Sequence, residues 1–196
     1  MKLVSVSAGA AEASSSRRLG DKLADATIAA LADVGCQASY TRIELHRLAG
    51  DIAQAMVSRE VSVPLAEAFD AILDADGLIA VSPVYNASYS GLFKSFFDVM
   101  DPRSLIGRPV LAGATGGSAR HSLMVEHAML PMFYFLKAEL APTPVFAASV
   151  DWADPSELDF RIARAAGSFA RVVMAARPAK ELPRVDVPSY DDLLTN

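Results

Sequence analysis

Cysteine is almost absent from this chain. Cys36 is the only one, which excludes an internal disulfide and any CxxC redox pair and fits a reduced, cytoplasmic setting. Basic residues are outnumbered: Lys and Arg total 18 against 23 Asp and Glu, giving a formal net charge of -5. The chain therefore lacks the basic face that a nucleic-acid partner requires. No apolar run approaches the ~20 residues of a membrane-spanning helix. The opening MKLVSVSAGA is too poor in apolar residues for a signal-peptide core. The most apolar window, 128–136, contains Pro131 and reads as a buried or subunit-facing helix segment. The nucleotide fingerprints GxGxxG and GK[ST] are both missing, which argues against a tightly held dinucleotide or ATP. Histidine is scarce, and the six-residue spacing of His121 and His127 does not align them on one helix face, so no metal site is expected. Gly116-Gly-Ser-Ala-Arg120 lacks the second glycine of a nucleophile elbow.

The chain does have the composition of one well-buried domain, 196 residues long and 52% hydrophobic. Short apolar strands are expected at 3–7, 40–45, 77–81, 108–115 and 144–150. They alternate with helical patterns at about 19–34, 52–57, 64–75, 89–100, 122–139 and 155–177. Pro64 suits the first turn of its helix. Strands alternating with helices imply an α/β parallel sheet covered on both faces. Five strands fit a three-layer, doubly wound flavodoxin-like arrangement in the order 2-1-3-4-5, whose ligand crevice lies at the carboxyl ends of strands 1 and 3. The organisation expected is one domain, 1–178, followed by a tail, 179–196, rich in proline and charge.

Three polar segments follow strands that meet at that crevice. After strand 1 comes Ser7-Ala-Gly-Ala-Ala-Glu-Ala-Ser14-Ser-Ser16-Arg17. Its hydroxyls and the amides at the next helix start suit a phosphate, and they equally suit an N-cap cluster. After strand 3 comes Ser82-Pro-Val-Tyr-Asn-Ala-Ser-Tyr-Ser-Gly91, read as a polar loop that can line a flat heteroaromatic ring or simply connect a strand to a helix. After strand 4 comes Thr115-Gly-Gly-Ser118, where small residues permit close backbone approach to a ligand or a tight turn.

The spacing Ser82-Pro-x-Tyr-x-x-Ser-x-Ser-Gly91, followed by Lys94 and Asp98, resembles the second flavin loop of the NADPH-dependent FMN reductases. The serine loop and the Thr115–Ser118 turn are similar to that family's other two flavin loops. The chain looks like an actinobacterial subgroup that supplies reduced flavin to monooxygenases. The segment Ala10-Ala-Glu-Ala13 departs from the usual phosphate loop. The resemblance implies that Ser7, Ser14, Ser16 and Arg17 hold the FMN phosphate. It places Pro83, Val84, Tyr85 and Asn86 along the isoalloxazine, and Thr115, Gly116, Gly117 and Ser118 at its pyrimidine edge. It implies hydride transfer from NADPH to FMN with no catalytic acid or base, free flavin and NAD(P)H as small-molecule partners, a flavin-dependent monooxygenase as protein partner, and a homodimer or homotetramer. Two other functions share these loops: an FMN-containing NAD(P)H quinone, azo or metal-oxyanion reductase, and a flavodoxin-type electron carrier.

Overall fold

The computed structural model describes residues 1–176. The expected helix end at Arg177 and the tail 179–196 lie outside the described residues. Strands β1 (Lys2–Ser7), β2 (Ser39–Glu44), β3 (Gly77–Tyr85) and β5 (Pro109–Gly116) are parallel neighbours in the order β2-β1-β3-β5. The far edge of β5 pairs with two short pieces, β6 (Glu139–Leu140) and β7 (Val145–Ala148). Together these pieces occupy the fifth position of the expected order, but only β7 falls within the expected strand 144–150; they are broken over 141–144, where Pro142 and Pro144 have no N–H to give to a ladder.

Helices α1 (Ser15–Ala32) and α6 (Ser156–Ala175) cover one face. Helices α2 (Ala49–Ser58), α3 (Val63–Leu73), α4 (Gly91–Val99) and α5 (Leu130–Phe135) cover the other. The alternation in the strands explains this sandwich. In β3, Leu78 and Ala80 join the α4 side while Ile79 and Val81 join the α1 side. Gly77 lets α6 approach: a Cβ there would lie 2.8 Å from both Phe169 and Val173. The α4 side is built on aromatic rings. Phe93 sits 4.9 Å from Phe97 and 6.3 Å from Phe133 between ring centroids, in edge-on contacts. Among the described residues no helix is long and apolar enough to cross a membrane.

Two expected elements differ. The single helix over 122–139 is instead a short 3-10 turn at Ala119–His121, a π-helical turn at Val125–Met129, and the six-residue α5. Pro131 causes the break, because an unbroken α-helix would need its missing N–H and would press its ring on the carbonyl of residue 127. Lys137, at φ 57°, then ends the segment. The second difference is at residues 82–91, expected as a polar loop. Strand β3 runs on to Tyr85 and turns back into β4 (Ser88–Tyr89), making a β-hairpin.

That hairpin turns through Asn86 at φ 48° and Ala87 at φ 65°, the two positive values of a type I′ turn. Asparagine tolerates this conformation; alanine does not, at a cost of about 1 kcal/mol. Replacing Ala87 with glycine is expected to raise stability by about 0.5–1 kcal/mol, read as a higher urea midpoint with an unchanged slope.

Candidate functional site

The carboxyl ends of β1, β3 and β5 lie side by side, with Ser7 opposite Val81 and Pro83 opposite Thr115. The chain leaves β1 through Ala8, whose N–H donates to the Val81 carbonyl at 3.0 Å. Ser7 is buried, as is Gly9, while residues 10–13 are exposed. Ser14 is the N-cap of α1, its hydroxyl accepting from the Arg17 N–H at 3.2 Å. The Ser15 and Ser16 amides therefore open a helix of 18 residues, where no preceding helical carbonyl can take them. Gly9 packs directly under this cap: a Cβ on it would fall 2.0 Å from Ser14 Oγ.

Ser16 and Arg17 are placed differently from a simple phosphate cradle. Ser16 is 1% exposed and its hydroxyl shares a 2.8 Å hydrogen bond with the Thr115 hydroxyl. This buried bond, spanning 99 residues, ties the first loop to the third across the end of β3. Arg17 turns toward β2. It donates to the Glu12 carbonyl at 2.9 Å, and its Nε lies 3.8 Å from Asp21 and 3.7 Å from Glu44.

The second wall is the hairpin. Pro83 and Val84 are half-buried, while Tyr85 and Asn86 stand exposed. Two buried serines brace it. Ser82 Oγ accepts from the Ser90 N–H at 2.9 Å, and Ser90 Oγ accepts from the Phe93 N–H at 3.2 Å, capping α4. Sequence reasoning assigned neither of them a role, although both stand in the motif itself. The third wall touches the second: a Cβ on Gly116 would lie 3.0 Å from Phe146 and 3.7 Å from Val84. Gly117 faces open space, and Ser118 caps the turn at 119–121. All twelve predicted residues thus belong to three touching segments at the carboxyl end of the sheet. Ser16 and Thr115 serve as the bolt between segments, and Arg17 stands on the β2 side. Trp152 packs against the α1 side of the core, with the Arg18 guanidinium 4.3 Å from its ring centre.

On the β2 side a polar chain runs from Ser5 to Tyr40 to Asp21, with Tyr40 Oη donating to Asp21 at 2.9 Å. Burial, with the Asp21 charge adding to it, pushes the Tyr40 phenol up to about 12 from its ordinary 10.0. A raised phenol pKa gives stability that is complete below pH 10 and lost as pH rises toward 12, because the unfolded chain ionises first. Alkaline unfolding is therefore expected to set in above pH 10, and Tyr40→Phe is expected to flatten that limb of the stability profile.

A doubly wound parallel sheet with its open loops gathered at the ends of β1, β3 and β5 defines a flavodoxin-like α/β protein. Comparison with known proteins makes the assignment narrower. The family model for NADPH-dependent FMN reductase matches residues 1–153, and the chain belongs to that family. It is 42% identical over 112 residues to the NADH-dependent FMN reductase SfnF of Pseudomonas fluorescens, covering 57% of this chain and 60% of that protein. It is 36% identical over 140 residues to the NADH-dependent FMN reductase SfnE of Pseudomonas putida, covering 71% and 72%. The chain thus spans only about three fifths of the SfnF relative's length. Among solved structures, an oxidoreductase from Corynebacterium diphtheriae superposes with a TM-score of 0.85 at 41% identity, covering 88% of this chain and 96% of that one.

Proposed function

We propose that this chain is an NAD(P)H-dependent FMN reductase that passes a hydride from NADPH to FMN and supplies reduced flavin to a flavin-dependent monooxygenase in the cytoplasm. The observation that carries the reading is the convergence of the three predicted loops at the ends of β1, β3 and β5, locked by the Ser16–Thr115 hydrogen bond. The residues suit the group. Free amides at the start of α1 and the Ser14 and Ser15 hydroxyls match a phosphate. The Pro83–Tyr85 ridge matches a flat ring, and the open Gly117 backbone matches its hydrogen-bonding edge.

Flavin, when bound, supplies the hydride acceptor. The chain's own residues orient it. Amides of the Gly116–Gly117 turn would hold the pyrimidine edge and, as hydrogen-bond donors, would stabilise negative charge on it. Ser82 and Ser90 hold the hairpin that would support the ring. No side chain in the three loops is required to move a proton.

The surface around α5 belongs to the same proposal. Met129 and Phe133 are buried, but Tyr134 and Phe135 are 64% and 80% exposed. We read these two rings as subunit-facing in a homodimer or homotetramer, which light scattering of the purified chain tests directly.

The activity is tested by mixing the protein with NADPH and excess FMN and following absorbance at 340 nm. Oxidation proportional to FMN supports the reading. Oxidation that requires a quinone and ignores added FMN favours a resident-flavin reductase instead, and no oxidation of either pyridine nucleotide rejects both.

A further inference from the structure

Three carboxylates crowd the outer side of the serine loop. Glu44 ends β2 directly opposite Ser7, the last residue of β1, so it borders the point where the loop begins. Its side chain is only 10% exposed, and Oε1 is buried without a hydrogen-bond partner. That oxygen lies 3.7 Å from Arg17 Nε, while Oε2 lies 3.4 Å from Arg47 Nε. Arg47 also pairs with the Glu12 carboxylate inside the loop. Asp21, one turn along α1 from Arg17, accepts from Arg42 at 2.7 Å. Three arginines (17, 42 and 47) thus face three carboxylates (12, 21 and 44), and the cluster is neutral. Arg18, the other arginine of the first turn, lies over Trp152 instead.

A loop built to retain a phosphate would leave its arginines available to the anion, in bidentate pairing. Here each is already matched. A phosphate monoester carries close to two negative charges at neutral pH, so its arrival gives the neutral cluster a net negative charge. Glu44 is the carboxylate that opposes it most, because its burial leaves little water to screen the charge. A carboxylate oxygen buried without a donor is itself unfavourable, and packing alone gives no reason for a charged group there.

We infer that Glu44, aided by Glu12 and Asp21, holds Arg17 and Arg47 in ion pairs and thereby weakens capture of the flavin's phosphate, making FMN an exchanging ligand and narrowing its advantage over riboflavin. This inference rests on the proposed flavin reductase reading. Glu44 is a specificity-determining residue that acts through the arginines and touches no reacting atom. Its negative charge sets how long the phosphorylated flavin stays; riboflavin, which has no phosphate, does not sense it.

The test is the ratio of riboflavin to FMN dissociation constants, measured by flavin fluorescence for the wild-type chain, Glu44→Gln and Glu12→Gln. Glu44→Gln keeps shape and removes charge. It is expected to tighten FMN about tenfold, a change of ~1.4 kcal/mol, and to leave riboflavin within twofold. Glu12→Gln changes an exposed loop side chain that the fold does not depend on, and is expected to tighten FMN two- to threefold by the same route. Raised salt is expected to shrink both effects. If both flavins bind the wild-type chain but the ratio stays flat in both variants, or FMN weakens, the inference is overturned while the functional reading stands. If the wild-type chain binds neither flavin, the functional reading fails and this inference fails with it.

Discussion

Gly9→Ala is expected to lower FMN affinity at least about thirtyfold, while the far-ultraviolet circular dichroism spectrum stays that of the wild-type chain. The new Cβ would lie 2.0 Å from Ser14 Oγ and 2.4 Å from Ser14 Cβ, distances too short for any non-bonded contact. Either the loop or the cap must move. If Ser14 moves, α1 loses its N-cap bond to Arg17, a loss of about 1 kcal/mol in stability. The amides of Ser15 and Ser16 move with it, and displaced donors are what a phosphate would feel. Thirtyfold in affinity is ~2 kcal/mol, in the range for losing one or two charge-assisted hydrogen bonds. Riboflavin binding is expected to fall much less. An FMN dissociation constant within threefold of wild type would remove the serine loop from the proposed site.

The largest stability effect is expected from Phe93→Ala. Phe93 is fully buried, and its ring meets Phe97, Tyr89 and Phe133. Truncating a buried phenylalanine costs about 3–5 kcal/mol in lost burial and residual cavity. For a domain of this size that lowers the melting temperature by roughly 10 °C. The void also lies one turn from Ser90, which caps α4 and is fixed by Ser82 at the base of the hairpin. Flavin affinity is therefore expected to fall along with stability. A melting temperature within 3 °C of wild type would contradict the packing described for this face.

The parts of this architecture written in local pattern were legible. The alternating apolar strands matched the sheet order, Pro64 stands in the first turn of α3, and Ser14, in the segment read as suiting an N-cap cluster, caps α1. The hairpin was not legible because its turn is Asn-Ala. The usual glycine of a type I′ turn is missing, and alanine carries no signal for a positive φ. The helix over 122–139 was overextended because apolar residues continue through Pro131, and periodicity cannot show where a π turn absorbs the ring. In the site, residue types singled out three loops that the fold brings side by side, but not the partners of their side chains. That Ser16 spends its hydroxyl on Thr115, and Arg17 its guanidinium on Glu44 and Asp21, depends on chain segments brought together only by the fold. The carboxylate at Glu44 carried one usable hint, its place at the end of a strand beside the serine loop.

The broken fifth strand bears on how open this sheet is to fibrous self-association. An open sheet offers its outermost backbone groups to any other strand that passes. On the far edge, β6 has two residues and β7 has four, separated by a stretch in which two prolines have no donor to offer. The opposite edge, β2, keeps only Ile43 buried and carries Arg42 among its exposed residues. Neither margin is a long, flat, uncharged template for a neighbouring sheet. A sheet with such margins gives a passing copy of the chain little ladder that could be extended without limit.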